Sequence, residues 1–176
     1  MSTITEREDR ISAIVSGPAG PVKLNHVEHF IKEMFLDIDG GTHRIACVYQ
    51  MNRGSKTLWL NKEGHKKRLA EMIADADIVT FYDKTNDIKH LQEAGIDIDP
   101  RKVLDIQYVL NILLGRKYSL DEICRILGIG KKYRRKGNMK SDFQRQCLTD
   151  ILLIKKLTEC LKSGDLSRKM SGAIMP

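Results

Sequence analysis

Three short apolar runs stand back to back in this chain: "MFLDID" (34–39), "HRIACVYQM" (43–51) and "KTLWL" (56–60), divided by glycines and an Asn-Arg-Gly-Ser turn. Runs of that length and alternation, broken by turn residues, predict three strands joined as an antiparallel meander. At residue 65 the period changes. "HKKRLAEMIADA" (65–76) has the spacing of an amphipathic helix, "DIVTFY" (77–82) that of a buried strand, and "NDIKHLQEAG" (86–95) that of a helix stopped by Gly95. "KVLDIQ" (102–107) is a fifth strand candidate leading into "YVLNILLG" (108–115). A meander followed by strand and helix in alternation predicts an α/β fold, a mixed sheet flanked by helices.

The remaining segments complete one domain. Ser119 with Glu122 three residues on is a capping-box pattern for the helix "LDEICRILG" (120–128). The closing helix "SDFQRQCLTDILLIKKLTECLK" (141–162) directs Leu148, Ile151, Leu152 and Leu157 inward. Residues 1–23, with "SGPAGPVK", form a loosely ordered lead-in, and a short helix "LNHVEHFIKEM" (24–34) opens a domain over 24–163. Residues 164–176 form a tail. A chain of 176 residues can bury a core without disulfides or a structural metal. Cys47, Cys124, Cys147 and Cys160 lie apart with no C-x-x-C pairing, the pattern of reduced buried thiols. No apolar run could span a bilayer and the charged N-terminus is no signal peptide, so an intracellular protein, cytoplasmic or nuclear, is expected.

Charge narrows the partner. The net charge is +7, and "KKYRRKGNMK" (131–140) gathers Lys131, Lys132, Arg134, Arg135, Lys136 and Lys140 around Tyr133 without one acid. Such a loop suits phosphates, with the tyrosine free to stack on a base.

"FLDID" poses the sharpest question, because strand alternation turns Asp37 and Asp39 to one face and Leu36 and Ile38 to the other. Asp87, at the start of a helix capped by Thr85 or Asn86, and Asp150, within the last helix, are two more acids in apolar surroundings. Clustered carboxylates repel, more so when buried, unless a cation neutralises them. Oxygen ligands of this kind suit Mg²⁺ or Mn²⁺ rather than zinc.

The order and spacing of these acids over roughly residues 34 to 160 resemble the DEDD superfamily of ribonuclease H-like 3′-to-5′ exonucleases. "FLDIDGG" resembles the first motif, "VTFYDKTNDIKHL" the second, "VLDIQYVLNILLGRKYSLDEICRILGI" the connecting segment and "RQCLTDILLIKKL" the third. The resemblance implies a five-stranded sheet in the order 3-2-1-4-5. It further implies two metal ions on Asp37, Asp39, Asp87 and Asp150, and release of nucleoside monophosphates from the 3′ end of RNA or single-stranded DNA. Four positions depart from the family pattern: Asp39 stands for Glu, Asp83 for Asn, and Gln146 and Arg145 occupy the places of a Tyr or His that handles the attacking water. Gln146 can orient a water by hydrogen bonding, but neither it nor Arg145 can take a proton. Two other functions stay open: a degenerate exonuclease fold that binds nucleic acid or a protein without turnover, and an internally cutting nuclease of the ribonuclease H type.

Overall fold

The computed structural model describes residues 31–39, 44–134 and 140–166. Strands β1 (Glu33–Asp39), β2 (Ile45–Gln50) and β3 (Gly54–Trp59) form the meander. Helix α1 (Glu63–Asp75), β4 (Ile78–Phe81), α2 (Lys84–Glu93), a 3₁₀ turn (Pro100–Lys102), β5 (Val103–Asp105), α3 (Ile106–Leu114), α4 (Leu120–Ile126) and α5 (Lys140–Lys162) follow. The sheet runs β3-β2-β1-β4-β5, the order expected. β1, β2 and β3 pair antiparallel, while β4 and β5 add in parallel.

The alternation of β1 sorts its side chains into two cores. Met34, Leu36 and Ile38 pack with Leu69, Met72 and Ile73 of α1 and Leu91 of α2. Phe35 packs with Ile45 and Cys47 of β2 and with residues of α3, α4 and α5, among them Leu110, Ile123, Cys147 and Ile151. Asp37 is on the Phe35 side by the same period of two. The sheet is therefore covered on both faces, and the carboxylates of β1 are aimed at α5.

Several boundaries differ from expectation, each for a local reason. Residues 31 and 32 are not helical and β1 begins at Glu33, so the expected first helix does not reach Met34; its residues 24–30, like the lead-in 1–23, lie outside the described residues. α2 starts at Lys84 because Asp83, not Thr85 or Asn86, is its cap, the carboxylate accepting from Thr85 N–H at 3.1 Å. β5 stops at Asp105 because that side chain caps α3 by accepting from Tyr108 N–H at 3.1 Å. Ser119 caps α4 through Glu122 N–H at 3.2 Å, while the Glu122 carboxylate turns to Arg116 at 3.2 Å. Leu152 is 44% exposed; Phe143, Cys147, Ile154 and Thr158 fill the inner face of α5 beside Ile151 and Leu157. The core also extends past the expected boundary at 163, since Leu166 is buried in it; residues 167–176 lie outside the described residues.

All four cysteines are free and buried. No helix among the described residues is long and apolar enough to cross a membrane.

Candidate carboxylate site

β1, α2 and α5 bring the sequence-predicted acids into one electrostatic neighbourhood. Asp87 is anchored by Ile38, whose backbone N–H donates to Oδ1 at 3.1 Å, so the start of α2 is tied to the end of β1. Asp150 stands on the buried face of α5, its side chain 3% exposed. Cys147, one turn earlier, donates its thiol to the Asp37 carbonyl at 3.2 Å and so docks α5 on β1. Asp39, at the end of β1, lies close enough to act on both Asp37 and Asp150.

The proton affinities record this crowding. Burial, then the charges of Asp150 and Asp39, push Asp37 up to about 7 against the pull of the Cys147 thiol and Lys132. Burial and the Asp37 charge hold Asp87 well above the usual carboxylate range, with Asp83 and Asp105 adding to it. Asp150 is also raised by burial, in spite of Lys132 and the Gln146 amide, which both favour its charged form. Isolation from water and like charge thus act together on three carboxylates from three elements.

One cation is already present. The Lys132 ammonium sits 2.8 Å from Asp150 Oδ2, while Asp150 Oδ1 is buried with no hydrogen-bond partner. The Lys132 backbone is held by Asp121, whose Oδ1 accepts from its N–H at 3.2 Å. Just before it, Gly130 lies so close to α5 that a Cβ there would stand 2.9 Å from Leu153 Cδ2. Lys132 was expected on a phosphate-binding surface; it lines the cleft described below, and its ammonium also reaches Asp150. Nothing in a run of basic residues distinguishes the one that turns inward, although a glycine two positions before it marks the close approach.

The rest of the basic segment is divided. Lys131, Lys132, Tyr133 and Arg134 line a cleft of about 630 Å³ with Asp121, Arg125 and Thr149. Tyr133 is tied down, its hydroxyl donating to Asp142 Oδ1 at 3.1 Å. Lys140 lies 5.5 Å over the Trp59 ring and is not among the residues lining the cleft. Arg135 and Lys136 lie outside the described residues. Arg125 and Asp105 were not singled out from the sequence: Arg125 belongs to an ordinary amphipathic helix, and Asp105 is recognisable only as a helix cap.

Among the described residues, no group of three or more His, Cys, Asp or Glu side chains is arranged to hold a metal ion. The acids are neighbours, with a lysine on one of them. No family model, curated protein or solved structure matches this chain.

Proposed function

We propose that the protein is a metal-dependent 3′-to-5′ exonuclease acting on RNA or single-stranded DNA. The observation that carries this reading is a run of like charges, Asp150 acting on Asp37 and Asp37 on Asp87, together with a buried Asp150 oxygen that makes no hydrogen bond. Acids whose proton affinity is raised by burial and by like charge weaken a fold when ionised unless a cation offsets them. An all-oxygen donor set fits a hard divalent ion, Mg²⁺ or Mn²⁺, once the side chains turn toward a common point. Asp37, Asp39, Asp87 and Asp150 would hold it. Such an ion, when bound, polarises a phosphodiester and makes a water nucleophilic at neutral pH.

The chain's own groups supply binding and orientation. Lys131, Arg134 and Arg125 give the neighbouring cleft a positive wall for a phosphate backbone, and the Tyr133 ring offers a stacking surface at its edge. Gln146, beside Asp150, can hold a water by its amide. Hydrolysis adds that water to phosphorus and breaks the bond to the 3′ oxygen of the preceding nucleotide, freeing a nucleoside monophosphate. A protein partner is a natural source of substrate choice for so small a domain.

A second reading, a fold that binds nucleic acid or protein without turnover, is favoured by one contact: the Lys132 ammonium on Asp150. A time course on 5′-labelled single-stranded RNA and DNA in Mn²⁺, Mg²⁺ and EDTA separates the two. The exonuclease yields a ladder shortening from the 3′ end, only with metal. Intact strands retarded on a native gel would replace it with the binding module, and a spread of internal fragments with an endonuclease.

A further inference from the structure

We propose that Lys132 takes the place of one of two cations, so that the site accepts a single divalent ion. This rests on the metal-dependent reading above and concerns how the charge of that same site is balanced.

The two oxygens of Asp150 have different environments. Oδ2 is engaged by the Lys132 ammonium at 2.8 Å, and Oδ1 is buried and makes no hydrogen bond, the neutral Gln146 amide being the other group that favours the charged carboxylate. A carboxylate so divided offers one oxygen to the lysine and keeps the other for a second positive group. The side chain is 3% exposed, so water is a poor substitute for either.

Nor is Lys132 a surface lysine that happens to reach inward. Asp121 fixes its backbone N–H, Gly130 lets the chain lie against Leu153, and the next residue, Tyr133, is fastened to Asp142. The ammonium is thus delivered from a backbone held on both sides.

Asp37, Asp39, Asp87 and Asp150 carry four negative charges when ionised. One divalent ion with the lysine leaves one negative charge, and two with the lysine leave one positive charge, so occupancy rather than net charge decides. A second ion would have to force the ammonium from Asp150 Oδ2. A lysine in this role keeps positive charge beside the scissile phosphate without depending on a second ion, and it fixes the substitution pattern that would reverse the arrangement.

Counting bound Mn²⁺ on the full chain decides the matter, by paramagnetic resonance of the free ion alongside calorimetry. Wild type is expected to bind one Mn²⁺, Lys132→Ala two, and Lys132→Arg one. Circular dichroism identifies an alanine variant that has not folded, and Lys132→Gln, which removes the charge and keeps much of the stem, then replaces it. Two ions on wild type, or one on a folded uncharged variant, would overturn the substitution while leaving a metal site in place. No ion on any of these proteins would overturn the metal-dependent reading itself, and this inference with it.

Discussion

Asp37→Asn is expected to lose metal-dependent strand shortening by on the order of 1000-fold, about 4 kcal/mol of barrier, while melting at a higher temperature than wild type in EDTA at pH 8. The two effects share one cause. Asp37 is pushed up to about 7 by burial and by the charge of Asp150, so above that pH its ionised form is held in the folded chain at a cost. An amide keeps the shape and removes the charge. Each kcal/mol recovered raises the melting temperature by roughly 2–4 °C in a chain of this size. A residue needed only for folding would lose activity and stability together, so melting curves beside the strand assay distinguish the roles. Asp150→Asn is expected to lose activity to a similar degree.

The metal-free protein is expected to become less stable as pH rises from about 4 to 7. Asp37 has a folded-state value of about 7 against an ordinary 3.8, so in that window the folded chain holds a proton that the unfolded chain has released. Unfolding then releases protons, and its free energy falls with rising pH by as much as about 1.4 kcal/mol per unit for one such group. Asp87 and Asp150, also raised, act in the same direction. Asp75 and Asp99 are lowered by Lys32 and Arg101, so they are ionised in both states across this window and act on stability only below about pH 4. Thermal melts in EDTA at intervals across the window should decline for wild type and flatten for Asp37→Asn. A wild-type profile that rises between pH 5 and 7 would contradict the shared burial of these acids.

How much could be read from residues alone follows from the range of the forces involved. The five strands were readable because period-two runs, a change of period near residue 65 and turn residues are local patterns; their order is a long-range property that these patterns do not carry, and it was expected only from the resemblance to ribonuclease H-like exonucleases. The FLDID question has a similar answer: alternation alone assigns Asp37 to the face of Phe35, and α5 covers that face with Asp150. Element ends were less readable, because Asp83 and Asp105 compete with their neighbours as caps and only the folded backbone decides between them. Least readable was the partner of Asp150. Lys132 lies 18 positions away in sequence, inside a run of similar cations, and only the packing of Gly130 against Leu153 brings it there. That is a tertiary fact with a faint local signal. Leu152 was misplaced for the opposite reason: a long helix with many leucines leaves more apolar residues than its inner face can bury.

The most direct test of the central claim, that these carboxylates form a cation site, is the melting temperature at pH 8 as Mn²⁺ is titrated into wild type, Asp37→Asn and Asp150→Asn. An ion that binds only the folded chain stabilises it by about 2.7 kcal/mol at 100 times its dissociation constant. A saturating rise of roughly 5–11 °C in wild type, absent or much reduced in both variants, is the predicted result. The same curve for all three proteins, or no rise in wild type, would contradict it.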